Sequence, residues 1–238
     1  MMRGIDLSQN NTNLNFRTLR RLGYDFAILR DGFGWGPPGR LDKLLDSHYK
    51  NATAAGMQIG YYHYIYSTDA AGAKQEAKEA LEYIKDKRCD LFIACDIEEA
   101  AHVQLPDKTI TEMVLTFANT IRAAGYTPAV YSMASLLNRL QWERIPDDVI
   151  VWAAHWGVDK PGVNHRVDCW QHDVVGMSSQ ANLRGTIPGA GGDIDVNILY
   201  AEDITDGESD GESVWKERYE RLAEQITQLA ESCIVGEK

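Results

Sequence analysis

The feature that most constrains the fold of this sequence is a repeated alternation of helix-like segments, glycines and short apolar segments. Gly23, Gly56 and Gly125 each follow a segment with helical periodicity and precede a strand-like run. Glycine is the usual left-handed residue after a helix, so each of them marks a helix end. Helices that alternate with strands in this way are typical of parallel β/α units. The sequence therefore predicts an α/β protein.

The spacing of apolar residues predicts eight strands and five helices. The predicted strands are residues 4–8, 25–31, 58–64, 91–98, 127–132, 149–154, 167–172 and 193–197. The predicted helices are residues 15–22, 41–55, 70–85, 109–124 and 135–140. Eight strands with fewer clear helices, weakest after the sixth strand, indicate an irregular TIM-like (β/α) barrel. An open doubly wound sheet is the structural alternative.

The composition of the chain changes after Asp203. The stretch DITDGESDGES is rich in glycine, serine and acidic residues, which predicts a linker. Residues 213–233 then carry apolar side chains at alternating steps of four and three, a heptad seam. We therefore expect a catalytic barrel at 1–202 and a C-terminal helical extension at 203–238, made of an acidic linker and an amphipathic helix. That helix either packs back on the barrel or forms a homo-oligomer through residues 213–233.

Charge and hydropathy narrow the possible partners. The formal net charge of −11 argues against nucleic acid, whose phosphates require Lys and Arg surfaces. Apolar runs of about five residues are far shorter than the roughly 20 that a bilayer span needs, so no membrane insertion is expected. The opening MMRGIDLSQN lacks the apolar core of a secretory signal peptide, which predicts synthesis in the cytoplasm without one. The six histidines lack paired-ligand spacing, so we predict no metal and no cofactor.

Acidic residues at the ends of three predicted strands are candidate catalytic groups: Asp6, Asp96, Glu98 and Asp195. A β/α barrel has its active site at the carboxyl ends of the strands, and closure makes the first and last strands neighbours. A single acid at a strand end is usually a cap or turn residue, and we interpret Glu99 as a solvated residue of this kind. Four converging carboxylates repel one another and raise at least one pKa, with Glu98 as the expected proton donor. Glycosidic bond cleavage needs such a protonated acid beside an ionised one.

Aromatic and amide side chains on the same strands are candidate substrate-binding residues. Carbohydrate sites place aromatic faces against the C–H surfaces of sugars and use amides and hydroxyls to fix orientation. The candidates are Tyr62, Tyr64, Tyr131, Trp152 and Gln171.

Taken together, these segments resemble family 25 of the glycoside hydrolases, the phage and bacterial muramidases. The matching motifs occur in order over roughly residues 3–200: GIDLSQ, AILRDG, DSHYKNATAAGMQIGYYHY, CDIE, AGYTPAVYS, VIVWAA, CWQH and DIDVN. The resemblance implies metal-free cleavage of the β-1,4 bond between N-acetylmuramic acid and N-acetylglucosamine in peptidoglycan. A wall hydrolase without an export signal further resembles an endolysin, which acts on the bacterial cell wall after release.

The resemblance also implies roles for individual residues. Glu98 looks like the general acid/base, and Asp96 looks like the residue that acts on, or through, the N-acetyl group of the substrate. Whether the acetamide oxygen or Asp96 is the nucleophile stays open. Asp6 and Asp195 would tune the site, and Tyr62 would lie near the reacting sugar. Arg30, in AILRDG, joins the substrate-binding candidates.

Two other functions are compatible with part of the pattern. A chitinase-like or glucosaminidase-like barrel also uses a DxE motif on strand four, but it generally has an Asp two residues earlier, where this chain has Ala94. A catalytically silent glycan-binding barrel that oligomerises through its C-terminal helix is the second alternative. The presence of all four acids argues against a silent barrel.

Overall fold

The computed structural model describes residues 1–36, 40–175, 190 and 193–200. The predicted linker and heptad helix therefore lie outside the described residues. Nine strands are present in the described part: β1 (Met2–Leu7), β2 (Phe26–Phe33), β3 (Arg40–Leu41), β4 (Gln58–Tyr64), β5 (Ile93–Asp96), β6 (Pro128–Met133), β7 (Ile150–Ala154), β8 (Cys169–Val175) and β9 (Ile194–Leu199).

Six α-helices connect these strands within the same residues: α1 (Phe16–Arg21), α2 (Leu45–Ala54), α3 (Ala70–Ile84), α4 (Ala100–Val103), α5 (Asp107–Ala123) and α6 (Ala134–Leu137). A short 3-10 helix, Trp142–Arg144, follows α6. None of the helices described here has the length and apolar character needed to cross a membrane.

Eight strands close into a barrel. The hydrogen-bonded order is β1-β9-β8-β7-β6-β5-β4-β2, and parallel pairing of β1 with β2 completes the circle. The two-residue strand β3 extends β2 as an antiparallel hairpin outside the circle. All eight predicted strands take part, so the TIM-like barrel prediction is confirmed and the open-sheet alternative is wrong.

Strand β9 departs from the parallel β/α arrangement that the sequence pattern indicates. This strand pairs antiparallel with both of its neighbours, β8 and β1. An antiparallel strand needs no crossover helix, and no helix was predicted between the last two strands. The reversal brings the amino-terminal end of β9 to the rim formed by the carboxyl ends of the other strands.

Glycines end three of the helices, as predicted. Gly23, Gly56 and Gly125 have φ values of 85°, 75° and 86°, a left-handed conformation that side chains with a Cβ rarely adopt. The apolar pattern of α3 is that of an amphipathic helix. Its buried apolar residues, Ala73, Ala77, Ala80 and Ile84, recur every three or four positions and so lie on one face.

Alternation along the strands separates two apolar layers. Ile5, Leu7 and Leu29 belong to the larger core between the barrel and its helices. Phe26, Ile28 and other alternate strand residues form a second core inside the barrel, with Tyr62, Phe92, Ala94, Tyr131 and Trp152. Because successive side chains of a strand point to opposite faces, Asp6 and Arg30 must face inward. Asp6 and Arg30 therefore lie on the same side of the sheet as Tyr62, Tyr131 and Trp152.

Candidate active site

The barrel rim brings together the acids of the first and last strands. Asp6 on β1 lies directly opposite Asp195 on β9 in the antiparallel register. Asp195 was expected at the carboxyl end of its strand, which is wrong. Asp195 is the second residue of β9 and reaches the same rim because β9 runs in the opposite direction.

Strand β5 supplies the other two acids. Asp96 is the last residue of β5 and is 2% exposed, whereas Glu98 follows two positions later and is half-buried. No hydrogen-bond partner is present for the buried Oδ1 atom of Asp96 among the described residues. An unpaired buried carboxyl oxygen is costly, so it marks a place where a ligand can supply the partner.

Two amides hold Asp6. Gln171 Nε2 donates to Asp6 Oδ2 at 2.9 Å, and Asn197 Nδ2 donates to the same oxygen at 2.8 Å. Gln171 is a predicted site residue, whereas Asn197 was not predicted. A signal for Asn197 exists, because it lies two residues after Asp195 in DIDVN and so points to the same face of the strand.

The orientation of Gln171 is fixed by two further donors. Its Oε1 atom accepts a hydrogen bond from the Tyr131 hydroxyl at 3.0 Å and another from Trp156 Nε1 at 3.1 Å. With the oxygen so occupied, the NH₂ group of Gln171 must face Asp6. Trp156 is 47% exposed and lies in the loop after β7, where no strand pattern identifies it as a site residue.

Burial raises the pKa of all four acids. For Asp96 the charges of Glu98 and Asp6 add to burial and raise the pKa well above its usual value. Burial is also the main cause of the raised pKa of Glu98, and the charges of Asp6 and Glu99 raise it further. Burial and the charge of Asp6 also raise the pKa of Asp195. Burial raises the pKa of Asp6 as well, against the lowering effect of its two amide donors. The rim can therefore hold protons near neutral pH.

Arg30 is close enough to these acids for its charge to act on them. It lowers the pKa of both Asp96 and Glu98, which opposes the effect of burial. Its Nε atom donates to Asp42 Oδ2 at 2.8 Å, and Gln9 N donates to the same oxygen at 2.8 Å. Asp42 was missed because it follows no predicted strand.

The predicted tyrosines differ in position. Tyr62 and Tyr131 lie inside the barrel with exposed fractions of 9% and 8%, next to the acids that raise their pKa after burial. Tyr64, at the end of β4, is half-buried, and burial and the charge of Glu98 raise its pKa. These phenols therefore remain protonated and can donate hydrogen bonds.

Trp152 supports the site from the barrel interior. It is 1% exposed, so little of its surface is open to a ligand. Its ring centroid lies 4.4 Å from that of Tyr131 and 5.9 Å from that of Tyr62, and its Nε1 donates to Asn197 Oδ1 at 2.8 Å. The geometry thus gives Trp152 a packing position behind Tyr62, Tyr131 and Asn197 in place of the predicted substrate contact.

The backbone after Glu98 is held by a capping interaction. Glu99 and His102 form a capping box at the start of α4, in which Glu99 N donates to His102 Nδ1 at 3.1 Å. The Nε2 atom of His102 lies 2.9 Å from the carbonyl oxygen of Ser67 and donates to it. Glu99 is therefore a helix cap, as expected, and the segment that carries Glu98 is tied to the loop after β4.

Comparison with known proteins agrees with this arrangement. The family model described as glycosyl hydrolases family 25 matches residues 5–180. The autolytic lysozyme of Clostridium acetobutylicum is 24% identical over 219 residues, and the match covers 84% of this chain and 64% of the relative. Lysozyme M1 of Streptomyces globisporus is 25% identical, with coverage of 82% and 67%. The chain thus spans about two thirds of the length of these relatives.

Solved structures share the fold at low identity. A family 25 glycosyl hydrolase from Bacillus anthracis has a TM-score of 0.69 at 17% identity, covering 85% of this chain and 90% of that one. The CTP1L endolysin has a TM-score of 0.68 at 24% identity, with coverage of 88% and 71%. The family model covers most of the chain, and the acid-lined barrel rim fits its chemistry. This chain belongs to glycosyl hydrolases family 25.

Proposed function

We propose that this protein is a muramidase that cleaves the β-1,4 bond between N-acetylmuramic acid and N-acetylglucosamine in peptidoglycan. The observation that carries the proposal is the gathering of Asp6, Asp96, Glu98 and Asp195 at one rim, where burial and mutual repulsion keep protons on carboxyl groups. Two curated relatives of the chain are named lysozymes, which supports the same substrate.

In this proposal Glu98 is the general acid. Its raised pKa keeps a proton that it donates to the glycosidic oxygen as the bond to the sugar breaks, and its half-buried position leaves it open to that oxygen. The resulting carboxylate then takes a proton from the attacking water. The charge of Asp6, whose ionised form is favoured by its two amide donors, would stabilise the positive sugar centre of the transition state, and Asp195 beside it would tune that charge.

The proposed role of Asp96 is to hold the N-acetyl group. Its buried Oδ1 atom, which has no partner in the described part of the chain, offers an acceptor for the amide N–H of the substrate. Holding that amide would place the acetyl oxygen near the reacting carbon. Tyr62, Tyr64 and Tyr131 would supply hydroxyl donors and ring faces around the sugar.

We further propose that the enzyme acts on the bacterial cell wall after release from the cytoplasm, as an endolysin. The likeness to the fold of the CTP1L endolysin is compatible with this setting.

End-group analysis tests the reaction. Purified peptidoglycan is digested, the new reducing ends are reduced with borohydride, and the products are analysed by mass spectrometry. We expect muramitol. Glucosaminitol would identify a glucosaminidase, and free stem peptides without new sugar ends would identify an amidase; either result would contradict the proposal.

A further inference from the structure

A cavity of about 220 Å³ lies beside the active-site rim. Its lining residues are Phe33, Gly34, Trp35, Gly36, Arg40, Tyr66 and Ser67. We call the side chains of Phe33, Trp35, Arg40 and Tyr66 the aromatic pocket. None of these four side chains belongs to the catalytic machinery described above.

A row of aromatic rings connects the aromatic pocket to the catalytic rim. Tyr64 lies opposite Asp96 in the parallel register of β4 and β5, and its ring centroid lies 5.5 Å from that of Tyr66. The ring of Tyr66 in turn lies 5.9 Å from that of Phe33. The aromatic pocket is therefore joined to the catalytic rim by ring contacts through Tyr64 and Tyr66.

One wall of the pocket depends on Gly34. Its φ is 65°, and a Cβ at this position would lie 2.8 Å from the Tyr66 ring, so only glycine fits without strain or displacement. Its N–H donates to the Tyr64 carbonyl oxygen at 3.0 Å, and its own carbonyl oxygen accepts from His63 Nε2 at 3.0 Å. The backbone beside Phe33 and Trp35 is thus held against β4.

The opposite wall depends on buried Glu76. Its carboxylate accepts hydrogen bonds from the backbone N–H groups of Tyr66 at 3.1 Å and Ser67 at 2.7 Å. Glu76 Oε2 also lies 3.5 Å from His63 Nε2. His63, which holds the Gly34 wall, and Glu76, which holds the Tyr66 wall, therefore belong to one ionic cluster. A cavity held from both sides by fully buried charged residues is preorganised for a ligand.

The charge of the pocket indicates the class of ligand. Arg40 is exposed, its guanidinium carbon lies 5.5 Å from the Phe33 ring centroid, and it forms no ion pair with any residue that the structure describes. A guanidinium pairs best with a carboxylate or phosphate. Trp35 and Tyr66 are 56% and 45% exposed, so open apolar surface lies next to this cation.

We propose that the aromatic pocket binds the acidic peptide stem that branches from muramic acid, a proposal that rests on the proposed muramidase function. The cavity is smaller than the roughly 300–1,000 Å³ of pockets that enclose drug-sized ligands, which suits one branch of a polymer. An uncharged sugar ring would use the aromatic faces and leave Arg40 without a counter-ion. A peptide stem can contact both the aromatic faces and Arg40, because it has aliphatic side chains and free carboxylates.

Kinetics on two forms of the same glycan test the proposal. One form carries its stem peptides, and the other has had them removed by an amidase. The variants are Arg40→Gln and Trp35→Ala, with Arg17→Gln, an exposed arginine on α1, as the matched control. On the peptide-bearing glycan we expect Arg40→Gln to raise KM about tenfold with kcat unchanged, because it loses one charge-assisted contact of uniform binding. On the stripped glycan its KM should equal that of the wild type.

Two results would overturn the proposal. An equal rise of KM on both glycans would show that the pocket binds sugar, and an unchanged KM on both would show that it binds nothing. If the wild type cleaves neither glycan, the muramidase function fails separately. Calorimetry with an isolated stem peptide then tests the pocket: binding that Arg40→Gln abolishes and Arg17→Gln retains supports it, and absence of binding refutes it.

Discussion

Asp6 and Asp96 are neighbouring buried acids whose hydrogen-bond environments differ. Asp6 accepts two amide hydrogen bonds, which favour its ionised form, whereas Oδ1 of Asp96 accepts none within the described structure. Burial raises the pKa of both, and further for Asp96, where neighbouring charges add to it. Unequal environments of this kind separate an ionised carboxylate from protonated neighbours. The rim can thus present both forms at one pH.

The burial of Asp195 in the acid cluster should make the free energy of unfolding depend on pH. Because the folded-state pKa of Asp195 is raised above its unfolded value of about 4, its unfolded form loses a proton first as pH rises. The free energy of unfolding therefore falls from about pH 4 up to the raised folded-state pKa. We expect Asp195→Asn to flatten this fall and to be more stable than the wild type at pH 8.

Chemical denaturation at pH 5 and pH 8 measures this effect, with the exposed Asp159→Asn as the control. A wild type and an Asp195→Asn variant with the same pH dependence would contradict a raised pKa at this position. Asp195→Asn should also lower catalytic activity, so that stability and function change in opposite directions.

Several single residues of the site could be identified from sequence, and others could not. Asp6 and Asp195 were expected to be neighbours because barrel closure joins the first and last strands, and the register confirms it. Asn197 was accessible to the same period-two argument. Trp156 and Asp42 lie in loops, where side-chain direction has no period that a sequence can show.

At the scale of elements, the ionic cluster of Asp31, His63 and Glu76 links β2, β4 and α3. All three side chains are 0% exposed. His63 Nδ1 donates to Asp31 Oδ1 at 2.6 Å while Nε2 donates to Gly34 O, so both ring nitrogens carry protons. Burial alone lowers the pKa of His63, but the carboxylates of Asp31 and Glu76 outweigh it and raise the pKa to about 10.

Removal of this cation should destabilise the fold. Since the folded-state pKa of His63 lies above the unfolded value of about 6.5, its stabilisation is complete below that pH and is lost as pH rises through about 10. At pH 6 we expect His63→Gln to reduce the free energy of unfolding by about 3–5 kcal/mol, because it leaves Asp31 and Glu76 buried without their counter-ion.

Urea denaturation of His63→Gln at pH 6 and pH 10 checks this, with His165→Gln, stacked on Trp142, as the matched histidine control. The difference from the wild type should shrink at the higher pH. An effect of equal size at both pH values would mean that His63 acts through packing and not through charge.

The direction of strands was the element-level property that sequence could not provide. The eight strands were located because each is a short apolar run, and glycines precede three of these runs. Alternation has the same period of two in parallel and antiparallel strands, so β9 carried no sign of its reversal. The two-residue strand β3 is too short to show any period.

At the scale of the whole molecule, the sequence predicts that the acidic chain consists of a barrel and a C-terminal extension. The family model ends at residue 180, and the predicted linker and helix of residues 203–238 lie beyond the described part. The heptad seam at 213–233 has Ile226 at an a position and Leu222 and Leu229 at d positions, which favours a parallel two-stranded coil.

Sedimentation compares the intact chain with the chain cut at Asp203. We expect the intact protein to sediment as a dimer and the shortened protein as a monomer, since only the former has the apolar seam. The variant Ile226→Asp in the intact chain provides a matched control that keeps the length. If the intact and cut chains sediment with the same number of subunits, the helix does not mediate self-association.

The most direct measurement compares the rate of new reducing ends released from peptidoglycan by the wild type, Glu98→Gln and Glu99→Gln. Glutamine at 98 cannot donate the proton that the glycosidic oxygen requires, so we expect its kcat to fall by about 10²–10⁴ while folding is retained. Glu99→Gln, a change in the adjacent helix cap, should keep kcat within a few-fold of the wild type. Turnover by Glu98→Gln close to that of the wild type would contradict the assignment of Glu98 as the general acid.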